Sequence, residues 1–272
     1  MSVNQQKGSK AFGVEEGYAP YRLRQARYYE LGMDCARWAQ ETYEETGRKA
    51  DVLDVGSWDG ALRKYTEIHA GSEQINYHGV DIFPNGKDFV YKSEDWTLHH
   101  INLEEGLTEL ESDRYDVVVC EQVLEHLHHP DVAIADMYRV LKPGGRLVIG
   151  VPIFPPGLDA VRRHVVPKTD RLFGVKKIRG HVQAWSKFSF ERLIRNTVPE
   201  AEIELSRGFR IVSGGILRPL EYCRWWWQLA RAVGRTVPSL CIEIQTVVSK
   251  PERMILKMPT LESQSQVAAR AA

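Results

Sequence analysis

The most constraining feature of this chain is a repeated alternation of short apolar runs with helix-like stretches. It begins at Asp51-Val-Leu-Asp-Val55, which is followed by a Gly-bearing turn and a helix opening near Ala61. Further runs lie at Tyr77 to Asp81, around His99 to Leu103, at Tyr115 to Cys120 and at Arg146 to Val151. Runs this short and this apolar read as strands buried on both faces, and their alternation with helices predicts a mostly parallel sheet with helices on both sides. A well-marked helix precedes the last of them. Pro130 stands in its first turn, Val132, Ile134, Met137, Tyr138 and Leu141 lie on its apolar side, and Gly144-Gly145 follow it. After Val151 the pattern changes to a basic, loop-rich segment, a short helix after Ser189, and strands at Phe209 to Val212 and Leu240 to Val248 flanking an aromatic helix. Before the first strand, Leu23, Ala26, Leu31, Cys35, Trp38 and Ala39 predict a helix within Tyr21 to Tyr43 that covers one sheet edge.

One α/β domain over 21–250 accounts for this pattern, with tails at 1–20 and 251–272 and two insertions, a basic loop at 161–185 and an aromatic amphipathic helix at 215–236. The 36 Lys and Arg balance 36 Asp and Glu, so no global field gathers a polyanion, and nucleic acid is disfavoured as a partner. The four cysteines form no Cys-x-x-Cys pair, the first ten residues lack an apolar signal-peptide core, and no apolar run is long enough to span a bilayer. A cytoplasmic location is the resulting expectation.

In an open parallel sheet, ligands bind beyond the carboxyl ends of the strands, so the informative residues should stand there. The first strand ends in Asp54-Val-Gly-Ser-Trp-Asp-Gly60, where Gly56 and Gly60 permit a tight turn. The second ends in Gly79-Val-Asp81, an acid able to take both hydroxyls of a ribose. The third ends in Asn102-Leu103 and the fourth in Glu121-Gln122. A nucleotide-like ligand is implied. The dinucleotide fingerprint fails, because Trp58 occupies its central glycine place and Asp54 and Asp59 would repel a pyrophosphate. The same acids would attract a sulfonium.

Four segments in order, Asp54-Val-Gly-Ser-Trp-Asp-Gly60, Gly79-Val-Asp81, Tyr115-Asp-Val-Val-Val-Cys-Glu-Gln-Val-Leu-Glu-His126 and Leu141-Lys-Pro-Gly-Gly-Arg-Leu-Val-Ile149, resemble the class I S-adenosylmethionine-dependent methyltransferases, especially the ubiquinone-biosynthesis branch. The resemblance is close over about Asp51 to Pro152 and looser over His181 to Lys250. It implies a Rossmann-like seven-stranded sheet whose last strand is antiparallel, and S-adenosylmethionine as cofactor. It implies that Asp54, Gly56, Ser57 and Gly60 surround the methionine part, that Asp81 binds the ribose, and that Ile82 and Leu103 enclose the adenine. Asn102 then stands beside the adenine amino group, and Glu121 orients the cofactor's amino group. Trp58 departs from the family's frequent glycine.

A hydroxyl acceptor needs a base of near-neutral pKa, which histidine supplies. His126 and His181 are the candidates; His128 and His129 read as solvated loop residues. Relatives that hold a divalent cation carry Glu-x-x-Glu-His on this segment. Here Gln122 replaces the first acid, a poor ligand for a hard cation, and no metal is expected.

The basic stretch Val161 to Gly180 suits an anionic acceptor. In the aromatic stretch, Glu221, Arg224, Gln228, Arg231 and Arg235 share one side, and Leu220, Cys223, Trp226, Trp227, Ala230 and Val233 the other. Such a helix packs on its own sheet, roofs a substrate pocket or contacts a membrane surface through 219–235. The acceptor read from these features is a small molecule, a glycan or a lipid-linked compound. A non-catalytic binding module and an RNA methyltransferase are the alternative classes.

Overall fold

A computed structural model describes residues 26–58, 60–82, 95–155, 182–211, 220 and 223–252. Its centre is a seven-stranded sheet of order β3-β2-β1-β4-β5-β7-β6. The strands are β1 (Ala50–Val55), β2 (Ile75–Asp81), β3 (Trp96–His100), β4 (Tyr115–Glu121), β5 (Leu141–Pro152), β6 (Glu202–Ile211) and β7 (Cys241–Ser249). The first five run parallel, while β7 lies antiparallel between β5 and β6. This is the architecture the alternation and the resemblance imply.

Period-two alternation divides the core between two faces. On one face Val52, Val119, Val148 and Val247 meet Leu31, Cys35, Trp38 and Ala39 of helix α1 (Ala26–Thr46). On the other, Leu53, Val118, Leu147, Ile149 and Val248 meet Ile134 and Met137 of α3 (Pro130–Val140) and Phe190 and Ile194 of α4 (Lys187–Thr197). Because neighbouring residues of one strand serve opposite faces, the central strands read as apolar runs. The short α2 (Ala61–Thr66) follows β1, and α4 begins at a capping box formed by Ser186 and Ser189.

Three strands differ from expectation. β5 starts at Leu141 rather than Arg146, because Leu141 already pairs with Tyr115 ahead of an irregularity in the ladder, so it leaves the preceding helix. β3 stops at His100, because the Asn102 side chain accepts the Glu104 N–H at 3.2 Å and turns Leu103–Glu105 into one 3₁₀ turn. β6 starts at Glu202 rather than Phe209. As an edge strand its first half is exposed and polar, so no apolar run announces it.

The aromatic helix is α5 (Arg224–Thr236), and it packs on β6. Trp227 and Ala230 are buried, and Gly234 sits so close that a Cβ on it would overlap the Gly208 carbonyl. The expected division of its sides holds for Trp227, Ala230, Gln228 and Arg235. Arg231 and the largely exposed Arg235 reach the buried carboxylate of Glu30 on α1, the latter at 3.0 Å, and Trp225 and Leu229, which the sequence left on neither side, point outward, 54% and 44% exposed. The burial of Trp227 and Ala230 and the close approach of Gly234 to Gly208 fix the helix's rotation, and the Glu30 ion pairs are compatible with it. No helix among the described residues is long and apolar enough to cross a membrane. The expected tails, apart from residues 251 and 252, and most of the basic loop lie outside the described residues, as does Asp59.

Candidate cofactor site

β1 and β2 end side by side and are tied beyond their ends: the N–H groups of Gly56 and Ser57 both donate to the Val80 carbonyl, at 2.8 and 3.1 Å. Gly56 has φ +79°, and a Cβ there would run into Val123. Glycine is therefore required by backbone and by space. The Gly60 N–H closes the turn on the Ser57 carbonyl at 2.8 Å, with φ +77° at the start of α2. The Trp58 N–H donates to Asp81 Oδ2 at 2.9 Å, which binds the turn to the end of β2. Gly79 leaves room for Ser57, whose Oγ would lie 2.8 Å from a Cβ placed there.

These ends frame a cavity of about 620 Å³, a size typical of small-molecule sites. Asp54, Gly56, Ser57, Asp81, Ile82, Asn102, Leu103, Glu121 and His126 all line it. Gly60 does not; it stands behind the wall and shapes the turn. His181 lies outside the described residues. His126 is exposed in the one-turn helix Leu124–His126 after β4. Sequence reasoning missed Tyr28 and Leu31, which reach the cavity from α1. Their spacing of three on a helical face was the available signal, but it also fits plain packing on the sheet.

The charge on this wall is one-sided. Asp54, Asp81, Glu104 and Glu121 line the cavity, and no Lys or Arg is among its described lining residues. The balancing cations stand behind. Arg27 Nε lies 3.0 Å from Glu121 Oε1, and its Nη1 lies 2.9 Å from Glu243. Gln245 Nε2 donates to Glu121 Oε2 at 2.8 Å. Burial works against the charge on Arg27, but Glu243 and Glu121 outweigh it and hold the guanidinium well above its ordinary pKa. Burial pushes the Tyr28 phenol up to about 12 against the pull of Arg27, and the ring stacks on Tyr65 at 5.3 Å. At the rim, Glu104 accepts the His128 N–H at 2.8 Å and faces its Nδ1 at 3.0 Å, and these bonds hold its carboxyl below the ordinary value. His128 is thus exposed, as expected, yet tied to the rim.

The site fits an adenosyl sulfonium. Its acids would attract the cation, and Ile82 and Leu103 offer apolar faces for adenine. Ser57 Oγ and Gln122 Nε2 are buried with no hydrogen-bond partner in the protein. Among the described residues no cluster of His, Cys, Asp and Glu has the arrangement to hold a metal ion.

Next to His126, the Glu125 carboxylate is almost wholly buried, and its Oε2 has no partner. Burial pushes Glu125, like Glu121, up to about 7. Each of these carboxyls holds more proton in the folded chain than in the unfolded one between about pH 4.5 and about pH 7, so stability falls as pH rises through that window. Glu125→Gln, with a permanently neutral side chain, is expected to remove up to about 1.4 kcal/mol per pH unit of that slope. Urea unfolding at about pH 5 and about pH 8 measures it, and an unchanged slope would contradict the assignment.

Residues 24–197 match the family described as a methyltransferase domain. Among the similar relatives, a ubiquinone biosynthesis O-methyltransferase of Pseudomonas entomophila is 30% identical over 118 residues, covering 40% of this chain and 47% of that protein. The ubiquinone/menaquinone biosynthesis C-methyltransferase UbiE of Vibrio vulnificus is 28% identical over 150 residues, covering 50% of this chain and 56% of that protein. The matched stretch thus spans about half the length of these relatives. In fold, the chain is similar to the crystal structure of an S-adenosylmethionine-dependent methyltransferase from Mesorhizobium loti, with a TM-score of 0.53 at 14% identity, covering 86% of this chain and 98% of that one. With the family match running through the strand ends that build the cavity, the chain belongs to the methyltransferase-domain family, within the class I S-adenosylmethionine-dependent methyltransferases.

Proposed function

We propose that this chain transfers a methyl group from S-adenosylmethionine to an oxygen or nitrogen of a small-molecule, glycan or lipid-linked acceptor. The observation that carries this reading is that one cavity at the carboxyl edge of the sheet is lined by four acids, by no described Lys or Arg, and by apolar side chains such as Ile82 and Leu103. When bound, the cofactor supplies a methyl group activated by a positively charged sulfur. Asp54, Gly56 and Ser57 would hold its methionine part, Asp81 its ribose, and Ile82 and Leu103 its adenine. The Asn102 side-chain oxygen already accepts the Glu104 N–H and has a second lone pair for the adenine amino group. Glu121 is held in place by Arg27 and Gln245, so its part is to accept a hydrogen bond from the cofactor's amino group and orient it. Tyr28 and Leu31 close the α1 side against water.

For a neutral amine acceptor, positioning supplies most of the rate. For a hydroxyl, the exposed imidazole of His126 on the cavity wall would take the proton, and His181 is the second candidate. The many Lys and Arg of residues 161–180 favour an acceptor bearing phosphate or carboxylate. The names of the curated relatives make quinone precursors a first class to screen.

Asp81→Ala is expected to lose most of the affinity for S-adenosylmethionine in calorimetry. His126→Asn should keep that affinity while transfer to a hydroxyl acceptor, read as S-adenosylhomocysteine release, falls about 10²- to 10⁴-fold. Normal binding by the first variant, or unimpaired transfer to a hydroxyl by the second, would contradict the roles given.

A lipid-linked acceptor is supported by the outward Trp225 and Leu229 of α5, an aromatic and an aliphatic side chain on one exposed face. The protein should then sediment with vesicles containing anionic lipid, and Trp225→Glu with Leu229→Glu should abolish this. Equal sedimentation of the double variant, or none by the parent, would remove the membrane contact from the account.

A further inference from the structure

The turn between β1 and α2 contains two costs at one residue. Trp58 has φ +44°, a left-handed conformation that a bulky L-residue rarely adopts and that glycine adopts without strain. Its side chain is also 61% exposed, although it lines the cavity. A strained backbone and a large apolar surface in water at the same place point to a role in binding rather than in folding.

The position says which part of the ligand is concerned. Residues 54–57 line the stretch of cavity assigned to the methionine part, and the Trp58 N–H is bonded to Asp81, assigned to the ribose. In S-adenosylmethionine the sulfur is the atom that joins these two parts. The Trp58 backbone is thus tied between the two subsites, and its side chain lines the same cavity. The carboxylates of this wall would attract any cation, whereas an aromatic face adds an attraction that depends on close approach of the charge. The thioether product, S-adenosylhomocysteine, has the same adenosine and amino-acid groups and lacks that charge.

We propose that Trp58 is a specificity-determining residue of the cofactor site, whose indole lies against the positively charged sulfur and favours the sulfonium donor over its thioether product. This rests on the cofactor assignment above. It also gives the departure from glycine a reason: the turn is strained to present an aromatic face.

The test is calorimetric affinity for S-adenosylmethionine and S-adenosylhomocysteine in the full chain and in its Trp58→Gly and Trp58→Phe variants, with thermal unfolding of each protein without ligand. Trp58→Gly is expected to melt higher than the parent, because glycine relieves the left-handed strain. Its ratio of donor to product affinity should fall roughly three- to fivefold, with a smaller fall for Trp58→Phe, whose ring has a weaker face. A ratio in Trp58→Gly equal to that of the parent would overturn the proposal, as would equal weakening of both ligands. Failure of the parent protein to bind either compound would instead refute the cofactor assignment on which the proposal stands.

Discussion

The reversal of strand order between β1 and β4 is the constraint on which the rest of the structure depends. From β1 the chain moves outward through β2 to β3, and from β4 it moves the other way through β5. The connections after β1 and β4 therefore diverge and leave a crevice above their carboxyl ends. Gly56 and Val123 stand on either side of that divergence, so closely fitted that a methyl group on the glycine would collide with the valine. The cavity is thus a consequence of topology, and the side chains at the strand ends determine what it can hold.

The charged groups among those side chains are acids, and their cost is offset behind the cavity rather than within it. Arg27 bridges Glu121 on β4 and Glu243 on β7, and Arg210 on β6 reaches the other oxygen of Glu243 at 2.7 Å. Gly150 on β5 leaves the space that the Glu121 carboxylate fills. Buried ion pairs of this kind contribute little net stability, but breaking one strands a charge, so the network fixes the geometry of the wall. Arg231 and Arg235 of α5 pair with Glu30 on the helix that also carries Arg27, Tyr28 and Leu31.

The central strands were legible in the sequence because burial on both faces leaves apolar runs such as Val117 to Cys120. The edges were harder. The early half of β6 is polar because one side of it meets water, and the end of β3 is decided by a side-chain cap at Asn102 that no periodicity reveals. In the site, residues at strand ends could be named from motif order, and all but Gly60 among the cofactor candidates line the cavity. Tyr28 and Leu31 could not, since a helix N-terminal to the first strand reaches the pocket only through tertiary packing. The outward Trp225 was missed because the assignment of the helix's two sides left it, like Leu229, on neither.

The central claim is that the crevice at the carboxyl edge of the sheet receives an adenosine carrying the methionine chain. The most direct measurement is an experimental structure of the protein with S-adenosylhomocysteine bound. The account predicts the ribose hydroxyls on the Asp81 carboxylate, the adenine ring between Ile82 and Leu103, and the amino-acid end beside Asp54 and Ser57. A ligand found anywhere else, or a crevice filled by the protein's own side chains, would contradict it.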